Sequence, residues 1–154
     1  MSNGWVAYGG SYGSPSVVIE KGLCVVNGLV KSGAWNTIAT LPASCRPSKR
    51  LIFNLNNHAK SARVDVQTSG VVSWIAGGKD HSWISLTGIV FALDGETALT
   101  MSNGWVAYGS SYGSPSMAIQ NGVCLVSGLV KSGAWNTIAT LPASCRPSKR
   151  LIFN

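Results

Sequence analysis

The chain has 154 residues, of which 45% are hydrophobic and 11% charged, and six of them are tryptophan. This composition is too apolar and too poor in charge for a disordered protein. No run approaches 18 consecutive apolar residues, so we expect no membrane-spanning segment. The net charge of +7 is the sum of +3 for residues 1–100 and +4 for residues 101–154. The second value is high because residues 101–154 contain no aspartate or glutamate, so the net charge does not indicate a basic domain.

The most informative feature is an internal repeat with an offset of 100 residues. Residues 1–54 and 101–154, which we call the first copy and the second copy, share 46 of 54 positions. All eight differences lie between positions 10 and 27, and residues 28–54 recur unchanged as 128–154. Repetition at a fixed period is typical of an array. We therefore predict a repeat unit at 1–93, a short connector at 94–100, and the first half of another unit at 101–154.

The strand pattern is all-β, because β-branched and aromatic residues dominate the apolar runs and no helical periodicity is sustained. Glycine, proline, asparagine and serine separate these runs, as in sandwiches and barrels. We predict antiparallel, jelly-roll-like β-sandwich units in tandem, one complete and one half. The predicted strands are residues 5–8, 16–20, 23–30, 35–41, 50–56, 62–67, 71–76 and 83–93.

Three details of these strands can be predicted from side-chain alternation. In 62–66, alanine and valine alternate with Arg63 and Asp65, so we expect these two charged residues to face water. The segment Thr68-Ser69-Gly70 predicts a tight hairpin. The inward parity changes at Gly88, which indicates a β-bulge.

The second copy supplies the first five strands of a unit, ending at 150–154, but is not followed by a counterpart of 55–93. Half of a sandwich cannot bury its apolar face. We therefore expect another chain, or residues beyond position 154, to complete it.

Each copy contains one pair of cysteines with 20 residues between them, and no metal-binding spacing accompanies them. The even count and repeated spacing favour one disulfide per copy. Buried free thiols are the alternative. A disulfide would indicate a protein outside the cytosol, at an extracellular location or at a cell or virion surface. The predicted pairs are Cys24–Cys45 and Cys124–Cys145.

Few residues indicate catalysis or metal binding. Asp80-His81-Ser82 contains the three residue types of a hydrolase triad, but neighbours on a strand point to opposite faces. We expect no enzyme activity, no cofactor and no metal site. The cluster of Arg46, Lys49 and Arg50 is interpreted as a solvated loop, with a patch for an anionic partner as the alternative, and no nucleic acid is expected to bind.

The tryptophans are the main binding candidates. Trp74, His81 and Trp83 lie close together around the loop 77–80, and on adjacent strands the two indoles could flank a sugar ring. The alternative is that they fill the core or a subunit interface.

The order of motifs from Gly22 to Leu93 resembles a β-sandwich module of bacteriophage tail and head fibres and other virion surface proteins. The matching segments are IATLP at 38–42, RP at 46–47, LIF at 51–53, RVDV at 63–66, GVV at 70–72 and WISLTGIVF at 83–91. The chain departs from this pattern at Ser44-Cys45, where such modules have Gly-Tyr, and in its near-identical tandem copy. The resemblance implies a small antiparallel sandwich, usually trimeric, that adheres or builds a fibre.

Two functions are consistent with these observations. The first is an extracellular structural protein that assembles with itself into a fibre, filament or surface appendage. The alternative is an adhesin that binds glycans multivalently through the region of Trp74, His81 and Trp83.

Overall fold

The structure is a computed structural model that describes residues 1–153. Within that range it is all-β, with two single 3₁₀ turns, Ala43–Cys45 and Ala143–Cys145, and no α-helix. The strands before the second copy are β1 Val6–Ala7, β2 Ser16–Glu20, β3 Leu23–Asn27, β4 Leu29–Lys31, β5 Thr37–Thr40, β6 Leu51–Asn57, β7 Lys60–Val66, β8 Val71–Gly77, β9 Trp83–Ser85, β10 Ile89–Ala92 and β11 Thr97–Ala98. Those of the second copy are β12 Val106–Ala107, β13 Ser116–Gln120, β14 Val123–Ser127 and β15 Val130–Lys131.

One layer of the first unit is a four-stranded antiparallel sheet in the order β5-β8-β7-β6. Its centre is the β7–β8 hairpin, which the turn at 67–70 closes with hydrogen bonds from Gln67 N to Val71 O and from Gly70 N to Gln67 O. The predicted hairpin is thus confirmed. Because β7 pairs with β6 and β8 pairs with β5, the hairpin holds the outer strands in place.

The opposite layer contains two long, interrupted strands. β3 continues into β4 and pairs with β10 and β9, while β2 and β1 pair along its other side. Val26 lies opposite Ile89, and Leu29 lies opposite Ser85. Between these two pairs the strand of β9 and β10 therefore advances by four residues, whereas the strand of β3 and β4 advances by three. This shift confirms the bulge predicted at Gly88, where φ is +119°.

Apolar side chains of the two layers meet in one core, which confirms the predicted antiparallel sandwich for the first unit. Alternation along β7 places Ala62, Val64 and Val66 in it. Burying an aliphatic or aromatic side chain of this kind contributes about 1.5–3 kcal/mol relative to exposure. The other core residues include Val26, Val30, Ile38, Leu55, Val72, Ile84, Leu86, Ile89 and Phe91.

All eight strands predicted for the first unit are present, and two of them are interrupted, at Gly28 and at residues 86–88. Two expectations were wrong in the second copy. Residues 137–140 contain only an isolated bridge between Ala139 and Met101, although their counterparts form β5. Of the strand predicted at 150–154, residues 150–153 form no strand, although the counterparts of 151–153 belong to β6, and residue 154 lies outside the described residues.

The physical reason is the absence of pairing partners. Among residues 1–153, β5 pairs only with β8 and β6 only with β7, and these residues contain one β7–β8 hairpin, which the first copy occupies. The apolar residues of the second copy are correspondingly exposed. Ile138 is 40% exposed where Ile38 is fully buried, Val126 is 56% exposed where Val26 is 3% exposed, and Trp135 is 90% exposed.

Both predicted cysteine pairs form disulfides, Cys24–Cys45 and Cys124–Cys145, with Cα atoms 5.4 and 5.5 Å apart. Cys24 lies on the central strand β3 and Cys124 on the edge strand β14, and each is joined to the 3₁₀ turn of its own copy. Closing loops of this length stabilises the fold by about 3 kcal/mol in the chain-entropy description. Disulfides are typical of proteins outside the cytosol. In residues 1–153, no helix has the length and apolarity needed to cross a membrane.

Candidate assembly interface and aromatic cleft

The second copy contacts the first unit through the segment predicted as the connector. Within residues 94–100, β11 pairs antiparallel with β13, with Thr97 opposite Met117 and Ala98 opposite Ser116. Leu99 N also donates to Pro115 O at 3.0 Å. The segment therefore forms a strand of the second copy's sheet.

The carboxylate of Glu96 strengthens this pairing. Its Oε1 accepts hydrogen bonds from the hydroxyls of Ser116 at 3.1 Å and Ser127 at 3.2 Å. Hydrogen bonds to an ionised acceptor are stronger than neutral ones. Two strands of the second copy are thus attached to one connector residue.

A second contact joins the loop 111–113 to the start of β6. Arg50 N donates to Ser111 O at 2.9 Å, and Gly113 N donates to Arg50 O at 3.0 Å. The Arg50 guanidinium lies 5.2 Å from the ring centre of Tyr112, and Arg63 Nη2 donates to Tyr112 Oη at 3.1 Å. Arginine over an aromatic face gains a cation–π attraction in addition to its hydrogen bonds.

Asp65 organises both arginines. Arg50 Nε donates to its Oδ2 at 2.7 Å and Arg63 Nε to its Oδ1 at 2.8 Å. The hydrogen bond to Asp65 raises the pKa of Arg63 above its ordinary value, against the opposing effect of burial. The expectation that Asp65 faces water was wrong, because this residue is fully buried. A buried carboxylate needs such partners. Because Arg50 pairs with Asp65 and also contacts residues 111–113, it is an interface residue and not part of a solvated loop.

At least four of the eight differences between the copies lie at this interface, at positions 17, 20, 21 and 27, and two of them change a charge. Gln120 Nε2 donates to Asp94 Oδ1 at 2.9 Å and to Asp94 O at 3.1 Å, and the first copy has Glu20 at the matching position. Lys21 Nζ donates to Asn121 Oδ1 at 3.1 Å, and Asn121 occupies the position of a second lysine. A carboxylate at 120 or an ammonium at 121 would face a group of its own sign. The copies therefore differ where their contact requires it.

The same surfaces are exposed on the first copy. Every residue of β2 is exposed, whereas Ser116 and Ala118 of β13 are buried. Tyr12 is 57% exposed, and its counterpart Tyr112 is partly covered by the two arginines. Nearly identical sequence thus presents a covered surface in one copy and an open one in the other.

A cleft of about 700 Å³ lies on the first unit and includes part of that exposed surface, since Tyr12 and Ser16 are among its lining residues. Its aromatic lining is Tyr8, Tyr12, His58, His81 and Trp83, and asparagine and serine side chains complete it. The ring centres of His58 and His81 are 4.4 Å apart, and those of His81 and Trp83 are 5.8 Å apart.

Two asparagines position the imidazoles. His58 lies in the turn after β6 with a φ of +61°, and Asn56 supports it by donating to His58 O at 2.7 Å and accepting from His58 N at 3.1 Å. Asn57 is buried, and its Nδ2 donates to the carbonyls of His81 and Trp83. The turn after β6 and the start of β9 are therefore held together.

Of the three residues predicted for a glycan site, the structure brings together His81 and Trp83 but not Trp74. Trp74 lies on β8 in the four-stranded sheet, with its ring centre 6.0 Å from that of Trp35 and Lys79 Nζ 5.0 Å from its own. Trp83 lies on β9 in the opposite layer, facing Lys31. The expectation of adjacent strands was wrong, because residues 78–82 cross from one layer to the other.

The sequence analysis did not predict that Tyr8, Tyr12 and His58 belong to this cleft, because they come from distant segments of the chain.

Asp80, next to His81, pairs with Lys60 rather than with the imidazole. This ion pair lowers the pKa of Asp80 below its ordinary value. Both side chains are more than half exposed, so we attribute little stability to the pair.

No family model, curated protein or solved structure matches this chain.

We expect Gln120→Glu to weaken the contact between the copies, because it removes a donor and places two carboxylates against each other. The cost should be about 1 kcal/mol, since the site is largely exposed. Hydrogen exchange in 116–120 should accelerate several-fold, and this segment differs in sequence from 16–20, so mass spectrometry distinguishes the two. Asp94→Asn in the same chain should restore much of the protection. Equal exchange in Gln120→Glu and the unaltered chain would contradict the assignment.

Proposed function

We propose that this chain is a structural repeat protein that forms an extracellular fibre, filament or surface appendage through head-to-tail or strand-exchange contacts between chains. The observation that carries the proposal is the unequal state of residues 28–54 and 128–154. These identical sequences form a closed sandwich in one place and an open apolar surface in the other. Large apolar side chains left exposed, among them Val126, Trp135 and Ile138, are typical of an interaction site.

The open surface of the second copy fits one occupant particularly well, namely residues 55–93 of another chain. Because 28–54 and 128–154 are identical, the second copy of one chain can take the place of the first copy in another. Ile138 would then enter the position of Ile38, and Trp135 would pack on Trp74 as Trp35 does.

Such an exchange does not produce a closed oligomer. The first copy that is displaced needs a partner in its turn, so each event creates a new open end. Repetition of this step produces a linear polymer whose subunits are joined by identical sandwich cores. The two disulfides support an extracellular location for it, since they persist in an oxidising environment.

We expect Ile138→Asp to prevent assembly, because exchange would bury its carboxylate in the position of a fully buried isoleucine. The first unit should be unaffected, since Ile138 is exposed in the single chain. Sedimentation and electron microscopy across a concentration series measure the effect.

Thr140→Asp is the matched control, because Thr40 and Thr140 are both exposed and the completed unit should tolerate this charge. The unaltered chain and Thr140→Asp should assemble. A chain that stays monomeric at high concentration, or equal assembly of Ile138→Asp, would refute strand exchange.

The second candidate function is a multivalent carbohydrate-binding adhesin, and the aromatic cleft favours it. Aromatic faces and neutral polar side chains suit a sugar, which presents apolar ring faces edged by hydroxyls. In this proposal His81 and Trp83 act with Tyr8, Tyr12 and His58, whereas Trp74 contributes to packing.

We expect Trp83→Ala and Tyr8→Ala to abolish specific sugar binding on a glycan array. Tyr108→Ala is the control for Tyr8→Ala, because the second copy has no counterparts of His58, His81 and Trp83. Retained binding in Trp83→Ala, or equal losses in Tyr8→Ala and Tyr108→Ala, would argue against a sugar site in this cleft.

A further inference from the structure

The outer edge of β2 has no partner strand in the described residues. β2 pairs with β3 on one side only, and all five of its residues are exposed. They include Val17, Val18 and Ile19. An unprotected apolar edge with free backbone groups is a template for another strand. The question is which strand fits it.

The second copy contains the same strand with its edge covered. There, β11 pairs with β13, through Thr97 opposite Met117 and Ala98 opposite Ser116. In the first copy, Val17 and Ser16 occupy the positions that match Met117 and Ser116. A connector in the same register would therefore lie along β2, leaving the pairing of β2 with β3 intact.

The side chains that bind the connector's carboxylate are also retained. Glu96 is held by Ser116 and Ser127, and the matching residues of the first copy are Ser16 and Asn27. A serine hydroxyl and an asparagine amide both donate hydrogen bonds. The first copy thus keeps two donors for one carboxylate even though position 27 differs.

We propose that the edge of β2, together with Ser16 and Asn27, is a docking site for the connector strand of another copy, with the pattern Glu-Thr-Ala-Leu in antiparallel register. This inference deepens the proposed assembly and rests on it. It assigns a second contact, in addition to strand exchange, through which successive units associate.

Glu20 should weaken the binding of the connector at this site. In the second copy, Gln120 accommodates the carboxylate of Asp94, whereas Glu20 would repel it. The connector of another chain, which carries Asp94, should therefore bind β2 more weakly than residues 94–100 bind β13, and a neutral residue at that position should remove the repulsion. Residues 95–100 of the connector need no such change.

The test attaches the segment Asn-Gly-Glu-Thr-Ala-Leu-Thr directly before Met1, the spacing that residues 94–100 have before Met101. Asparagine replaces the aspartate to avoid Glu20. The control extension, Asn-Gly-Glu-Pro-Pro-Leu-Thr, has the same length and charge, but proline cannot donate to a ladder.

Hydrogen exchange in residues 16–20 of the dilute chain is the readout. The first extension should slow it roughly tenfold, as a few added hydrogen bonds do, and the proline extension should leave it unchanged. Asn27→Leu should remove part of the protection by deleting one carboxylate donor. Equal exchange with the two extensions would overturn the docking site.

This test acts within one chain, so its outcome is separate from that of assembly. Protection of 16–20 in a chain that never polymerises would support the docking site and reject the proposed fibre. Assembly of the unaltered chain with no protection by the extension would reject the docking site alone.

Discussion

The structure depends on pairing between strands, and above all on the single β7–β8 hairpin. A β-strand satisfies its backbone groups only through a neighbour, so sequence with strong β-propensity needs a partner supplied from elsewhere in the chain. Residues 37–40 have that partner in β8, and their identical counterparts at 137–140 do not. The same residues thus form an inner strand of a sandwich in one copy and irregular chain in the other.

The contact between the copies follows from the same hairpin. β7 places Arg63 and Asp65 beside Arg50 at the start of β6, and Asp65 fixes the two guanidinium groups against which Tyr112 packs. Without the pairing of β6 with β7, the arginines would have no common carboxylate. The sandwich core and the intercopy surface therefore share the paired strands β6 and β7.

Much of the first unit could be predicted from the sequence, because strand alternation, the turn at 67–70 and the cysteine spacing are local signals. The bulge at Gly88 was also predicted, from the change in inward parity. Burial of Asp65 was not predicted, since its alternation with Val64 and Val66 is that of a solvent-facing residue. Its partners are Arg63 and the distant Arg50, whose guanidinium groups contact Tyr112 of the second copy, and no local pattern records these contacts.

The aromatic cleft was only partly predictable for a related reason. His81 and Trp83 are close in sequence, and their contact required no knowledge of topology. Trp74 is nearly as close, yet the loop that follows β8 crosses to the other layer and separates it from Trp83. His58 and the two tyrosines join the cleft through strand order, which depends on long-range pairing.

The most direct measurement of this account is hydrogen exchange in peptides covering 37–41 and 137–141, which have the same sequence and therefore the same mass. In dilute solution they should give an isotope envelope with two populations of equal size. One population should be protected by pairing with β8, and the other should be exchanged almost at once. A single protected population in a chain shown to be monomeric would contradict the claim that one hairpin decides the state of both copies.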